Sequence, residues 1–184
     1  MILGHSELKK LIKKRNLISG LSKRDMESPV GCVFDLQLDR VYELDGSLFL
    51  GIEERETPDL REVAIFDKNK RSSFLFKPNV YYLVKTIEKV NMPENIAAMV
   101  LPRSTLLRSG IMLRTGMIDP GYQGELYFGL INHNAKPAEI ELGARFAQIY
   151  FVEIKGKAVR TYHGQWQGGR ATTKSSTTSR EKQF

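Results

Sequence analysis

From residue 29 onward, apolar and polar residues alternate along much of the chain, the pattern of half-buried β-strands. Residues 33–38 alternate in this way, and the stretches 41–44 and 47–52 flank an Asp45-Gly46 turn, which predicts a β-hairpin. Later apolar runs predict strands at residues 81–90, 96–101, 126–132, 138–142 and 146–154. Turn residues recur about every ten positions, a spacing typical of β-sandwiches and barrels. The pattern therefore predicts an all-β fold.

The two ends of the chain depart from this alternation. Residues 6–16 predict a short helix with Ser6 as its N-cap, because leucine and isoleucine recur on one face and lysines on the other. Residues 171–184 contain few hydrophobic side chains and predict a flexible, basic tail. We therefore expect one domain over residues 1–170, which includes a C-terminal arm rich in glycine and glutamine.

Composition narrows the possible functions. The net charge of +7 comes from the two ends, residues 1–27 and 155–184, so it says little about the core. With Cys32 as the one cysteine and only three histidines, neither an intramolecular disulfide nor a zinc site of the usual spacing is expected. No apolar run approaches about 20 residues, so we expect a cytoplasmic protein without a signal peptide or membrane span. The absence of a GxxxxGK[ST] sequence argues against a P-loop nucleotidase.

Residues 116–124, Gly-Met-Ile-Asp-Pro-Gly-Tyr-Gln-Gly, form the most informative segment. A carboxylate at the mouth of a tight hairpin, here Asp119, can act as a general base. The nearby glycines allow a small ligand to approach the backbone closely. The alternative interpretations are structural: Asp119 initiates the Pro-Gly turn, and Tyr122 packs against the core.

A second group of residues suits the binding of phosphate. Arg103, Ser104 and Thr105 follow Pro102 and offer a guanidinium fork and two hydroxyls, and a short helix beginning near Ser104 would strengthen anion binding. A capped surface turn is the alternative. Gln148 lies in an apolar strand and needs a partner if it is buried. On the arm, the aromatic side chain of Trp166 and the cation of Arg170 could close over a bound nucleotide.

Five segments, in this order, resemble the motifs of the dUTPase/dCTP deaminase superfamily. They lie at residues 31–36, 102–105, 116–124, 143–149 and 166–170. The resemblance covers residues 29–170 and implies a distorted β jelly roll with a short N-terminal helix. It also implies a homotrimer with active sites between subunits, in which the C-terminal arm closes over the nucleotide.

The resemblance assigns a role to each candidate residue. Asp119 would activate the water that attacks the α-phosphorus of dUTP. The other contacts would fall to Gly116, Met117, Ile118, Tyr122 and Trp166 for the nucleoside, and to Arg103, Ser104, Thr105, Gln148 and Arg170 for the phosphates. The implied cofactor is Mg²⁺, held mainly by nucleotide oxygens and waters, with Asp35 a candidate contact through water.

The superfamily holds two reactions, and position 129 favours one of them. Deaminases of the superfamily use a glutamate ten residues after the motif aspartate, where this chain has Gly129. Glu125 could replace it only through a shift that breaks the strand register. We therefore predict a dUTP diphosphatase that releases dUMP and pyrophosphate. The alternatives are a dCTP deaminase, mono- or bifunctional, which the Pro120-Gly121 pair resembles more closely, and a non-catalytic regulator that binds nucleotide or, less expectedly, nucleic acid.

Overall fold

The computed structural model describes residues 1–156, 158, 160–173 and 180–182. The described helices are short: α1 His5–Arg15, α2 Lys23–Glu27 and α3 Ser104–Arg108. The described strands are β1 Ile18–Ser19, β2 Phe34–Asp45, β3 Phe49–Leu50, β4 Glu54–Glu56, β5 Asp59–Ile65, β6 Ser73–Phe76, β7 Tyr81–Asn91, β8 Ile96–Pro102, β9 Ile111–Arg114, β10 Met117–Ile118, β11 Gln123–Asn132, β12 Ala138–Glu141, β13 Arg145–Glu153 and β14 Glu181–Lys182. No helix in the described ranges is long and apolar enough to cross a membrane.

Strand β2 joins the two halves of the main antiparallel sheet, whose strand order is β10-β8-β13-β2-β7-β11-β9. Its first residues pair with β13, and its later residues pair with β7 on one side and β5 on the other. The register shifts between Leu38 and Arg40, and an irregularity of this kind bends a strand and increases its twist. The sheet therefore curls, and the prediction of an all-β fold with a short N-terminal helix is confirmed.

The core lies inside this curl. Alternate side chains of β2, namely Phe34, Leu36 and Leu38, are fully buried, because successive residues of a strand face opposite sides of the sheet. Phe76 and Tyr82 extend this core, and their rings meet edge to face with centroids 5.2 Å apart. The core thus fixes strand β7, which carries one wall of the candidate site.

The hairpin predicted around Asp45-Gly46 is wrong. Strand β2 continues to Asp45 and pairs with β5, with Asp45 opposite Asp59, whereas the short β3 pairs with β4. Leu48, Leu50 and Ile52 are exposed, so residues 47–52 have no buried face that would hold them in register against β2.

Both ends of the chain pack against the strands. Helix α1 begins one residue earlier than predicted, with Gly4 rather than Ser6 as its N-cap, because the Leu8 N–H donates to the Gly4 carbonyl at 3.0 Å. Near the other end, the Thr57 N–H donates to Thr173 Oγ1 at 2.9 Å, and β14 pairs with β4. The rest of the predicted tail, residues 174–179 and 183–184, lies outside the described residues.

The fully buried Asn132 should contribute strongly to stability. Its amide donates to the carbonyls of Phe76 and Lys136, each at 2.9 Å, and its oxygen accepts from the Asn134 N–H at 2.9 Å. Asn132→Ala leaves these groups unpaired and should lower the free energy of unfolding by roughly 2–4 kcal/mol in urea denaturation. Asn69→Ala, in an exposed turn, is the control and should change it by less than about 0.5 kcal/mol. Equal effects of the two substitutions would contradict the assignment.

Candidate active site

A pocket of about 480 Å³ opens between residues 116–122, the wall formed by β7 and β11, and the C-terminal arm. Strand β10 pairs with β8 and not with its neighbours in sequence, so this segment is a turn between strands rather than the predicted tight hairpin. Its walls are largely apolar, with a few polar groups that converge on the space, as is usual for small-molecule sites. Seven of the predicted site residues line it: Gly116, Met117, Ile118, Asp119, Tyr122, Trp166 and Arg170. A single chain therefore brings together the candidate base, the candidate nucleoside contacts and the arm arginine.

Asp119 is exposed, but the residues on either side of it, Ile118 and Pro120, are buried. The Asp119 carbonyl accepts from the Tyr122 N–H at 3.2 Å, which closes the turn. Gly121 has a φ of 85°, a conformation that other residues rarely adopt, and its N–H donates to the Met92 carbonyl at 3.1 Å. The backbone of Asp119 thus serves the turn, while its carboxylate lies at the pocket surface. The two interpretations of this residue are compatible.

Tyr122 forms a rigid part of the pocket wall. Its hydroxyl donates to the Glu125 carbonyl at 2.5 Å, and its ring meets Tyr162 edge to face with centroids 5.5 Å apart. Burial raises the pKa of Tyr122 to about 12, so the phenol stays protonated at neutral pH. The ring presents a fixed apolar surface to a ligand.

The C-terminal arm docks on the same turn through its backbone and one side chain. The Gln167 amide donates to the Gly121 carbonyl at 2.9 Å and accepts from the Gln123 N–H at 3.0 Å. The Gly168 N–H donates to the Gln123 carbonyl at 2.8 Å. These bonds hold Trp166 against the pocket. Sequence reasoning missed the role of Gln167, because a Gly/Gln-rich run does not reveal which side chain makes the contact.

Arg170 lines the pocket but already has partners. Its guanidinium donates to Glu181 at 2.9 Å and to the Thr173 carbonyl at 2.7 Å. Glu181 lies on β14, so a stretch near the chain end holds the arm arginine in place. A phosphate bound by Arg170 would share this guanidinium with Glu181 or displace it.

The other predicted phosphate residues lie elsewhere in the chain. Arg103 and Gln148 line a smaller cavity of about 160 Å³, which shares no lining residue with the first. Ser104 and Thr105 are exposed at the start of α3 and line neither of these two cavities. On β8, Ala98 lies opposite Ile118, and Arg103 comes five positions later, which separates Arg103 from the turn by roughly 17 Å. One chain alone therefore does not bring these residues to Asp119.

Asp35 organises this second cavity. It is buried rather than at a sheet edge, and it accepts from Arg103, from Arg145 at 2.7 Å and from Gln148 at 3.1 Å. Arg24 lies 3.9 Å away. Asp25 is a second buried acid of this cavity, so three arginines face two carboxylates and leave one excess positive charge, which favours an anionic ligand. Sequence reasoning missed the contributions of Arg145 and Arg24, although Arg145 stands inside one of the recognised motifs.

Position 129 lies against the ring of a neighbouring tyrosine. Gly129 lies on β11 between Leu83 of β7 and Arg114 of β9. A Cβ atom at this position would stand 2.2 Å from the hydroxyl oxygen of Tyr81 and 2.6 Å from its Cζ. Tyr81 also lines the large pocket. Any side chain introduced at position 129 would therefore have to displace the end of the Tyr81 side chain, which is 39% exposed.

Glu88 is a fully buried carboxyl beside the Asp35 cavity. One of its oxygens accepts from the Gln37 N–H at 2.9 Å, and the other has no hydrogen-bond partner within the described part of the chain. Burial raises its pKa to about 8, and the charges of Asp25 and Asp35 act in the same direction. Glu88 is therefore protonated at neutral pH.

Docking of the arm depends on Gly124. It has a φ of 135°, and a Cβ there would lie 2.4 Å from the Gly169 nitrogen. Gly124→Ala should therefore release the arm, shift the fluorescence of Trp166 to longer wavelength and accelerate proteolysis of residues 160–173. Gly4→Ala is the control, since a Cβ at Gly4 meets nothing within 4 Å. An unchanged emission spectrum in Gly124→Ala would refute this docking.

The raised pKa of Glu88 should make stability depend on pH. The folded chain holds this proton more tightly than the unfolded chain, where the pKa is near 4.5, so the stabilisation is complete below that pH and is lost as the pH rises to about 8. Glu88→Gln removes the ionisation and should raise the free energy of unfolding at about pH 9 by roughly 1–3 kcal/mol, with little change at about pH 4. The exposed Glu94→Gln is the control. Parallel pH profiles of wild type and Glu88→Gln would contradict the buried ionisation.

Comparisons with known proteins agree with this architecture. A probable deoxyuridine 5′-triphosphate nucleotidohydrolase from Methanopyrus kandleri is 35% identical over 167 residues, 90% of this chain and 99% of that protein. A dCTP deaminase from Pyrococcus furiosus is 29% identical over 157 residues, 85% and 88% of the two chains.

The crystal structure of 2′-deoxycytidine 5′-triphosphate deaminase from Agrobacterium tumefaciens has the same fold. It matches with a TM-score of 0.63 at 19% identity, over 82% of this chain and 48% of that one. The expected jelly-roll fold is confirmed by this match. The family model described as dCTP deaminase-like matches residues 2–154, and the chain therefore belongs to the dCTP deaminase-like family.

Proposed function

We propose that the protein is a dUTP diphosphatase, which converts dUTP and water to dUMP and pyrophosphate. The observation that carries this choice of reaction is the contact between Gly129 and Tyr81. Deamination needs a proton-transfer group beside the base, and the glycine packed against this tyrosine has no side chain to supply one. Asp119, a suitable base for water, lines the same pocket. The name of the Methanopyrus kandleri relative supports the same reaction.

Glu125 does not offer a substitute acid. Its carboxylate lies 3.0 Å from the Lys89 ammonium group and 3.7 Å from that of Lys85. Both lysines engage this carboxylate, and Glu125 is not among the residues that line the large pocket. Neither position 129 nor position 125 therefore supplies the proton-transfer residue that a deaminase needs. Because the Pyrococcus furiosus relative is named a dCTP deaminase, the assay below also measures deamination of dCTP.

In the proposed reaction, Asp119 accepts a proton from a water molecule as its oxygen attacks the α-phosphorus in line. The new P–O bond forms as the bond to the bridging oxygen breaks, and pyrophosphate leaves with that bonding pair. The exposed carboxylate on a turn with buried neighbours is a fixed yet accessible base. Charge on the phosphates is neutralised by cationic groups rather than by covalent chemistry.

The nucleoside is proposed to occupy the large pocket. Backbone groups of Gly116, Met117 and Ile118 read the edge of the base, and Tyr122 lies against the deoxyribose and excludes a 2′-hydroxyl. Trp166 covers the nucleoside from the arm. The pocket volume and its mainly apolar lining suit this part of the ligand.

The phosphates are proposed to lie between subunits of a homotrimer. Arg170 approaches them on the arm, while Arg103, Ser104, Thr105 and Gln148 come from a neighbouring chain. The wide separation between Arg103 and the Asp119 turn within one chain supports this arrangement. Exposed apolar side chains beside β8 and β10, such as those of Leu101 and Met117, would be covered by such an assembly.

The metal would arrive with the substrate. Among the described residues, no group of three His, Cys, Asp or Glu side chains could hold an ion. The arginines around Asp35 occupy its oxygens, so a contact from Asp35 to Mg²⁺ through water would compete with them. We therefore propose that Mg²⁺ binds the triphosphate oxygens and supplies charge neutralisation. The single cysteine, Cys32, is consistent with a cytoplasmic location.

Asp119→Asn should abolish turnover but retain nucleotide binding. Wild-type protein, incubated with Mg²⁺ and dUTP or each of the common dNTPs and NTPs, should release pyrophosphate from dUTP. The variant should be slower by roughly 10²–10⁴-fold, because the base is lost. Asp45→Asn, at the exposed end of β2, is the control. Normal turnover in Asp119→Asn would refute the role of the base, and ammonia released from dCTP would establish the deaminase instead.

Mixed trimers can test the shared site. Arg103→Ala and Asp119→Asn should each be inactive alone, but co-expression should restore activity to about one quarter of wild type, because random assembly produces that share of intact interfaces. Each variant co-expressed with a second copy of itself is the control. If both residues acted within one chain, every mixture would remain inactive.

A further inference from the structure

We propose that Tyr81 is a specificity-determining residue of the pocket, whose hydroxyl donates a hydrogen bond to the 4-carbonyl of uracil and so disfavours cytosine. This inference rests on the proposed function only in that it places a pyrimidine nucleotide in the large pocket. It goes further by assigning to a side chain a discrimination otherwise left to the backbone of residues 116–118.

The hydroxyl belongs to a residue of the pocket wall and lies close to the segment that leads into Gly116. It stands over Gly129, at 2.2 Å from the place of a Cβ atom there. Gly129 is directly opposite Arg114, the last residue of β9. From Arg114 the chain turns through Thr115 into Gly116, whose backbone lines the pocket. The phenol is therefore next to the segment that we propose to bind the base.

The hydroxyl of Tyr81 is also available for a ligand. Two other hydroxyls of the lining are committed: that of Tyr122 donates to the Glu125 carbonyl, and that of Thr57 accepts from the Thr173 N–H at 3.0 Å. Within the part of the chain that the structure describes, the Tyr81 hydroxyl makes no such bond. A half-exposed polar group in a mainly apolar wall is well placed to select a ligand by its hydrogen-bonding pattern.

The local charge favours an acceptor on the ligand. Burial raises the pKa of Tyr81, against the opposing effect of the Arg114 guanidinium, so the phenol is a donor at neutral pH. The nearby positive charge of Arg114 further favours a carbonyl oxygen over an amino group. Uracil presents a carbonyl at C4, whereas cytosine presents an amino group there. The wall therefore matches a 4-oxopyrimidine.

The test compares binding of the α,β-imido analogues of dUTP and dCTP by calorimetry with Mg²⁺. Tyr81→Phe keeps the ring and removes the hydroxyl, so the preference for the dUTP analogue should fall about tenfold, through weaker binding of that analogue alone. Gly129→Ala, whose Cβ displaces the hydroxyl, should reduce the preference in the same way. Tyr150→Phe is the matched control, because its hydroxyl donates to the Met99 sulfur at 3.1 Å outside the pocket.

The outcomes separate this inference from the proposed function. An unchanged preference in Tyr81→Phe, or equal weakening of both analogues, would overturn the role of Tyr81, because a merely structural residue would affect both ligands alike. Equal binding of the two analogues by wild type would overturn it as well. If wild type prefers the dUTP analogue through Tyr81 but releases no pyrophosphate from dUTP, the proposed hydrolysis fails while the specificity role stands.

Discussion

The polar half of the site depends on the buried carboxylate of Asp35. Arginines from α2, from the end of β8 and from β13 converge on Asp35, which lies on the strand shared by both halves of the sheet. Without this carboxylate, the partly exposed guanidinium groups would repel one another and lose the partner that orients them. With it, they are held in place and still carry excess positive charge. An incoming phosphate would thus meet an ordered site and lose little free energy to rearrangement.

Much of the fold could be predicted from the alternation of apolar and polar side chains, because a strand with one buried face needs an apolar residue at every second position. Strands β7, β8, β11, β12 and β13 lie where the apolar runs are. The prediction failed between residues 47 and 52, where a turn signal stood beside apolar residues that are exposed in the structure. A local turn preference does not determine the pairing partner when no buried face fixes the register.

Only the parts of the candidate site that are built from residues close in sequence could be predicted. The residues of the Asp119 segment lie together because they are close in sequence, and the arm was recognisable by its composition. The contact of Tyr81 with Gly129 arises from the pairing of β7 with β11, which no motif records. The distance between Arg103 and Asp119 also follows from strand register rather than from either motif. Sequence motifs do not show which distant strands pair, and both of these features depend on that pairing.

The packing of Tyr81 on Gly129 has a consequence for substitutions at either position. A side chain introduced at position 129 would have to displace the phenol, and loss of the phenol alone would open space in the pocket wall. The pair of changes together conserves volume. Substitutions at these two positions should therefore have non-additive effects on the pocket, so that the effect of each depends on the residue at the other.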